Sequence, residues 1–322
     1  MYKLDLKDRR ILSELDMNAR IPFTQLSKKV QVSRQVIEYR INKLFEEKVI
    51  FGAITIFDSV KVGLFWYRIV FRLKSVTSEQ KNEILKNLET KSSIIWLGEV
   101  GGNWDLIVNF CCKNIQEFNQ ILEEIMHNYG KFIMKYEVLT YINVTDLERS
   151  YLLNKKGSRK EFFHDMIYKD YKLDAIDIAI MKEISSNAFL TNVAIGSKLK
   201  ISRNTVKYRI ETLIKNKIIL GFRLLINPSM LGYSSHMTFL EINQIDLKRE
   251  KEFYAYLKSI PQVTYIVKQV GDWRFGLEIE SKDELEFQEI FVNIRGKFAD
   301  IISNYDSFLI LKDHIVNYFP IK

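Results

Sequence analysis

The sequence predicts an α+β fold, built from one two-part unit that occurs twice in the chain. The first observation is a repeat: residues 32–44 recur as residues 201–213, and Ser33 aligns with Ser202 at an offset of 169 residues. The same offset aligns glycines and aromatic residues over about 100 residues, which indicates a duplication. The second observation is that each copy starts with helical periodicity and continues with alternating, strand-like segments.

The composition is that of a globular protein. The chain has 322 residues, of which 47% are hydrophobic and 27% are charged, and this length allows two to four domains. The apolar run at residues 64–71 is interrupted by Arg68 and is far shorter than the roughly 18 residues of a membrane span. The adjacent Cys111 and Cys112 cannot form a disulfide framework and are expected to be buried in a strand. We therefore expect a soluble, cytoplasmic protein without a cleaved leader.

The net charge of +8 is unevenly distributed. Residues 1–52 and residues 173–221 each carry a net charge of +4, and residues 146–172 carry +2. Residues 53–145 are neutral, and residues 222–322 carry −2. A module that binds a polyanion, alternating with one that does not, explains this pattern. Chance clustering of a few lysines is the alternative.

Residues 1–60 and 173–230 are predicted to be winged helix-turn-helix domains. Asp5 caps a first helix, with Asp8 three residues later; Thr24 caps a short second helix, and Ser33 caps a third. In the third helix the apolar positions recur at helical spacing and should face the core. The second copy repeats the caps at Asp174, Asp177, Thr191 and Ser202. Three short helices with a tight turn between the last two are the layout that places the third helix in a DNA major groove.

A short alternating strand follows the helices in each copy, at residues 52–57 and 221–226. We expect these strands to be the wings.

The exposed side of the third helix is predicted to contact DNA. Arg34 and Gln35 lie on its first turn, where Arg can bind guanine and Gln or Asn can bind adenine. Arg40, Lys43 and Lys48, with Arg209 and Lys217, are better placed to contact phosphates. The predicted DNA-binding residues are Ser33, Arg34, Gln35, Glu38, Tyr39, Arg40 and Lys43, and in the second copy Ser202, Arg203, Asn204, Lys207, Tyr208 and Arg209. A solvated charged face is the alternative.

Residues 61–145 and 231–322 are predicted to be ferredoxin-like domains. Their element order is β-α-β-β-α-β, in which an antiparallel sheet has helices on one face. The other face should be apolar, and the sister copy is the expected cover. Between the copies, residues 146–172 form a basic linker that includes Lys155 and Lys156. We expect a solvated tether; an additional phosphate-contacting arm is the alternative.

This order of domains resembles the Lrp/AsnC (feast/famine) family of transcription regulators, in a tandem-fused form. The most specific motifs are the helix at residues 33–44, ending in Lys-Val-Ile at 48–50, and the turn Gly-Glu-Val-Gly-Gly-Asn-Trp-Asp at 98–105. In the family this turn lies at a subunit interface where an amino-acid effector can bind. The resemblance therefore implies effector contacts at Gly101, Gly102, Trp104, Asp105, Gly271, Asp272 and Trp273. A purely structural hairpin is the alternative, because Trp replaces a smaller aromatic residue and Arg274 occupies the position of Asp105.

Tandem fusion leads to two hypotheses. The third helices differ: Gln35 becomes Asn204, Val36 becomes Thr205, Glu38 becomes Lys207 and Lys43 becomes Thr212. The first hypothesis is an intrachain pseudo-dimer that reads an asymmetric double-stranded DNA site, and that can assemble into larger homo-oligomers. The second is that Asp105 and Arg274 pair across the pseudo-twofold axis.

Enzyme functions have little support in the sequence. The four histidines share no metal-ligand spacing, and no nucleotide-binding or hydrolase motif is present; we expect no catalytic residue, metal or cofactor. Siroheme decarboxylases resemble the same fused architecture, but they usually carry histidine on the central hairpin, where this chain has none. A non-specific architectural DNA-binding protein is the other alternative, and its binding would be salt-dependent with little sequence preference.

Overall fold

The computed structural model describes residues 2–154, 157–185, 187–243, 246–316 and 319, so Lys155 and Lys156 of the predicted basic linker lie outside the described residues. The helices are α1 (Leu6–Asp16), α2 (Phe23–Val30), α3 (Arg34–Glu46), α4 (Ser78–Glu89), α5 (Ile115–Tyr129), α6 (Ala175–Ser185), α7 (Asn192–Leu199), α8 (Arg203–Lys215), α9 (Leu247–Ser259) and α10 (Glu284–Lys297). The strands are β1 (Ile50–Phe57), β2 (Phe65–Leu73), β3 (Ile94–Gly101), β4 (Leu106–Cys112), β5 (Ile133–Leu147), β6 (Glu161–His164), β7 (Ile219–Ile226), β8 (Ser234–Ile242), β9 (Val263–Val270), β10 (Phe275–Ser281) and β11 (Ile302–Val316). The α+β class and the duplicated order of elements are confirmed.

Local sequence explains where the first helices begin. Asp5 and the Asp8 side chain form a capping box at the start of α1, as predicted, and Thr191 caps α7. The prediction for Thr24 is wrong, because α2 begins at Phe23, two residues earlier than a cap at Thr24 would place it, and Pro22 is the N-cap residue. Proline is tolerated here because the N–H groups at a helix start have no intrahelical acceptor, so its missing N–H costs little.

The two short strands β1 and β7 pair with each other. They run antiparallel and form a two-stranded sheet of their own, with Ala53 opposite Leu224. Each helix-turn-helix unit therefore contributes one strand to a sheet shared with its sister unit, and the expected wings join the copies. One hydrophobic core extends through both units, from Ile11 and Leu12 of α1 to Ile180 of α6.

The remaining long strands close into a ring of eight. The order is β2-β4-β3-β11-β8-β10-β9-β5, and β5 also pairs with β2. Two 15-residue strands make the closure possible. One half of β5 pairs with β2 and the other half pairs with β9. In the same way, one half of β11 pairs with β8 and the other half pairs with β3. The sister copy therefore covers the inner face of each sheet, as expected, while α4, α5, α9 and α10 pack outside.

The predicted solvated tether is wrong for residues 146–153 and for the strand β6, whereas residues 167–170 are exposed and lie outside any helix or strand. Strand β5 continues to Leu147, and β6 pairs alongside it. Phe162 is buried against Ile54 and Ile56 of β1. The guanidinium of Arg159 donates to the carbonyl oxygens of Ile260 and Val263, at 2.8 Å each. Buried aromatic and guanidinium groups fix this segment to both copies, so it acts as packed structure.

Cys111 and Cys112 are buried in β4, as predicted. Burial, above all, raises the pKa of the Cys112 thiol to about 12, so this thiol is uncharged near neutral pH. No helix among the described residues combines the length and the apolar character needed to cross a membrane.

Candidate nucleic-acid interface

A tight turn places α3 and α8 after the preceding helices. Gln31 and Lys200 occupy equivalent positions in the two copies, with φ of 60° and 56°, and both end their helix in the left-handed conformation. The hydroxyl oxygens of Ser33 and Ser202 then accept hydrogen bonds from the backbone N–H groups of the third residue after each. The turn and the cap fix where each predicted recognition helix begins.

The outer faces of α3 and α8 are open to solvent. Tyr39 is 66% exposed and Tyr208 is 67% exposed, which is unusual for tyrosine in a folded domain. The other exposed predicted DNA-binding residues are Ser33, Arg34, Gln35, Ser202, Arg203, Asn204 and Lys207. On their inner sides both helices are buried through the predicted apolar positions Ile37, Ile41 and Leu44, and Val206, Ile210 and Leu213.

The two faces differ in charge. In α3 the Nε of Arg34 is 2.7 Å from Glu38 Oε1, so the first-turn arginine is partly neutralised by a neighbour one turn away. In α8 the position of Glu38 is taken by Lys207, which lies 3.8 Å from Glu211. Arg203 forms no ion pair with any residue that the structure describes. The α8 face therefore offers a more positive first turn than the α3 face.

Arg40 and Arg209 have an intramolecular role that the sequence did not reveal. Arg40 Nη1 lies 2.7 Å from both Asp5 and Asp8, the two residues of the capping box of α1. Arg209 repeats this with Asp174, at 2.7 Å. The Asp177 N–H and the Arg209 guanidinium donate to Asp174 and hold its pKa below the usual value. These arginines tie the predicted recognition helix to the first helix, so their use as phosphate contacts would compete with an existing ion pair.

Equivalent hydrogen bonds relate the two helix-turn-helix units by a pseudo-twofold axis. The Ala19 N–H donates to the Phe222 carbonyl at 3.0 Å, and the Ala188 N–H donates to the Ala53 carbonyl at 2.8 Å. Each donor and each acceptor is 169 residues from its counterpart. The two recognition helices are therefore presented by one joined body.

The turns predicted to contact an effector fasten the copies together. Trp104 Nε1 donates to Asp306 at 3.0 Å, and Trp273 Nε1 donates to Glu137 at 2.8 Å; these are equivalent bonds across the copy boundary. Both indoles are buried in a cluster that includes residues of both copies. The expected pairing of Asp105 with Arg274 is wrong.

Asp105 and Arg274 have separate partners. Asp105 accepts a hydrogen bond from the Leu73 N–H at 2.7 Å, and Arg274 pairs with Glu250 at 3.0 Å. Each is engaged within its own copy, so neither reaches the other.

The remaining predicted effector residues differ in how accessible they are to a ligand. A Cβ on Gly102 would lie 3.1 Å from Phe308, and one on Gly271 would lie 2.5 Å from Leu139, so both glycines permit close approach of the sister copy. Gly101 is half-buried. Gly271 and Asp272 line an open groove on the second copy.

A buried ionic network links the first helix to the second ferredoxin-like domain. Arg149, from the predicted linker, donates from Nη1 to Asp16 at 2.8 Å and from Nε and Nη2 to Glu280 at 3.0–3.1 Å. The Tyr151 hydroxyl also donates to Glu280. Sequence reasoning missed this network, because its members come from three distant segments. The local sequence, with Arg149 between Glu148 and Ser150, gives no sign of burial.

Comparison with known proteins supports the assignment of two helix-turn-helix units. The AsnC-type helix-turn-helix domain profile matches residues 4–44, and a winged helix-turn-helix DNA-binding profile matches residues 173–219. The HTH-type transcriptional regulator FL11 of Pyrococcus horikoshii is 30% identical over 122 residues, covering 80% of that protein and 38% of this chain. The chain belongs to the Lrp/AsnC family of transcription regulators.

Other similarities concern one copy or the whole chain. The leucine-responsive regulatory protein of Haemophilus influenzae is 29% identical over 123 residues, covering 72% of that protein and 37% of this chain. The crystal structure of the siroheme decarboxylase NirDL has a TM-score of 0.64 and covers 97% of this chain and 94% of its own, at 14% identity. This Lrp/AsnC protein thus shares its whole fused fold with NirDL, and at this identity the likeness concerns the fold alone.

Proposed function

We propose that this Lrp/AsnC protein is a sequence-specific regulator that reads an asymmetric double-stranded DNA site with α3 and α8. The observation that carries the proposal is the presentation of two exposed but unlike helix faces by one pseudo-symmetric body. A symmetric dimer presents identical helices and favours palindromes, whereas two unlike faces favour unlike half-sites.

Specific residues have separate proposed roles. Arg34 and Gln35 read bases in one half-site, and Arg203 and Asn204 read bases in the other. Lys43, Lys48 and Lys217 contact phosphates, together with the backbone at the two helix starts. Ser33, Ser202, Tyr39, Tyr208, Glu38 and Lys207 complete the two contact surfaces.

A selection from random-sequence duplex DNA at about physiological salt tests this proposal. We expect a two-part enriched motif whose halves differ. The matched exchanges Gln35→Asn and Asn204→Gln should each change one half of the motif and leave the other unchanged. Binding without enrichment would favour an architectural role, and a single palindromic motif would contradict reading by two unlike helices.

An amino-acid-like effector is proposed to act at the open groove beside Gly271, Asp272 and Arg274. The indoles of Trp104 and Trp273 are both buried, which favours a structural role for these two side chains. Since the proposed partner is double-stranded DNA, we further propose a cytoplasmic location, with the pseudo-dimer as the unit of any larger homo-oligomer. Light scattering with and without a panel of amino acids tests both assembly and effector response.

Siroheme decarboxylation is the second candidate, because the fold matches NirDL over nearly the whole chain. Residues 101–105, on the central hairpin, contain no histidine, and Trp104 on this hairpin is engaged with Asp306. Absorbance titration with an iron porphyrin tests this candidate. Saturable binding together with absence of DNA binding would favour the enzyme.

A further inference from the structure

A cavity of about 140 Å³ lies between the eight-stranded ring and the β1–β7 sheet. Its lining includes apolar and charged residues. The apolar ones include Ile54, Leu224, Leu225, Met237, Ile310 and Val316. The charged ones are Arg68, Asp146, Arg149, Arg223, Glu278, Glu280 and Asp313. A cavity with both kinds of wall suits a ligand that has a charged end and an apolar end.

The three arginines of this cavity differ in their partners. Arg149 is paired with Glu280, and Arg223 Nη1 lies 2.7 Å from Asp146. Arg68 is only 1% exposed, and no carboxylate among the described residues lies within ion-pairing distance of it. Its Nε donates to the Asn109 side chain at 2.8 Å.

The rest of the Arg68 guanidinium lies against aromatic side chains, with no counter-charge among the described residues. Its Nη1 is buried without an acceptor. The rings of Tyr141 and Phe239 lie 5.0 Å and 5.6 Å from the guanidinium carbon, and attract the cation through their faces. Such contacts offset only part of the cost of burying a charge that has no counter-charge.

The duplication shows that this charge is specific to one copy. Arg68 pairs in register with Asn109 on β4, and the equivalent pair in the second copy is Met237 with Glu278 on β10. The pseudo-symmetric ring therefore has an arginine on one side and a carboxyl group on the other. Glu278 is half-buried at the cavity wall and forms no ion pair with a described residue.

Glu278 is a poor counter-charge for Arg68. Burial, foremost, and the neighbouring Glu280 carboxylate raise the pKa of Glu278 to about 7. A large fraction of this carboxyl group is then uncharged near neutral pH, where arginine is always charged.

We propose that this cavity binds a small aliphatic monocarboxylate, with its carboxylate on Arg68 and its alkyl chain on Ile54, Ile310 and Met237. Guanidinium and carboxylate groups match in geometry, and the anion would supply the missing counter-charge. A cavity of about 150 Å³ accommodates benzene, so about six or seven non-hydrogen atoms fit here, as in butyrate. The proposal does not depend on the function of α3 and α8.

Calorimetric titration of the full chain with sodium butyrate, at constant ionic strength, tests the proposal. Butyramide has the same shape without the charge, and alanine adds an ammonium group. We expect saturable binding of butyrate at least tenfold tighter than that of butyramide or alanine. Equal binding of butyramide, tighter binding of alanine, or no binding of butyrate would overturn the proposal; these comparisons require no variant.

Arg68→Met provides the matched variant, since the second copy already has methionine at this position. Butyrate binding should weaken at least tenfold in this variant, while Glu278→Gln should retain it, because the amide cannot repel the ligand. Unchanged butyrate affinity in a folded Arg68→Met protein would show that the ligand binds elsewhere.

Discussion

Replacing Arg149 by methionine should destabilise the protein strongly. The change leaves the Asp16 and Glu280 side chains, both fully buried, without the cation that they share. Asp16 would keep its hydrogen bond from the Arg149 N–H, and the Arg223 guanidinium would remain 4.0 Å away. Removing one partner of a buried ion pair costs about 3–5 kcal/mol, mostly through the uncompensated charge left behind. We therefore expect a loss of this size in the free energy of unfolding.

Equilibrium urea unfolding at pH 8 and pH 5.5, followed by tryptophan fluorescence, measures this loss. The deficit should shrink at the lower pH, because proton uptake neutralises the uncompensated carboxylates in the folded variant. Lys29→Met removes a partly exposed ion pair with Glu14 and should cost at most about 1 kcal/mol. Similar losses for both variants, or a deficit independent of pH, would contradict a role for Arg149 as the buried counter-charge of Asp16 and Glu280.

Three further predictions follow from single side chains. Trp104→Phe removes the indole donor to Asp306 and should lower the free energy of unfolding by about 1–2 kcal/mol. An unchanged urea midpoint would show that this hydrogen bond does not stabilise the contact between the copies. Because the pKa of Glu278 is raised from about 4.5 to about 7, the folded chain binds more protons than the unfolded chain in this interval. Stability should therefore fall as pH rises through it; Glu278→Gln should flatten that part of the pH profile, and an identical profile would contradict the raised pKa. Arg34→Ala should weaken binding to the selected DNA by about 1–3 kcal/mol without changing the urea midpoint, and uniform weakening on every sequence would indicate a phosphate contact.

The elements of the fold were largely predictable, because their signals are local. Periodic apolar positions in α3, the Asp5 and Ser33 caps and the 169-residue repeat all lie within short stretches of sequence. The Thr24 prediction failed because threonine is a common N-cap, whereas the N-cap of α2 is Pro22, which makes no side-chain cap hydrogen bond.

The contacts between copies were not predictable, because they depend on which distant segments meet. Nothing local distinguishes a wing strand from β1, which pairs with the equivalent strand 169 residues later. The charged residues of the linker suggested solvent, yet Arg149 is buried by carboxylates from α1 and β10. Arg40 is likewise a residue type that often contacts phosphates. Only its position opposite Asp8 in the fold shows that it joins α3 to α1.

The most direct test of two-helix recognition is the DNA motif selected by a variant whose α3 face copies that of α8. This variant carries Gln35→Asn, Val36→Thr, Glu38→Lys, Asn42→Glu and Lys43→Thr, all at positions outside the buried core of the helix. If each helix reads one half-site, the asymmetric motif of the unmodified chain should become a palindrome built from the half that α8 reads. An unchanged motif, from a variant that folds and binds, would contradict recognition by these helix faces.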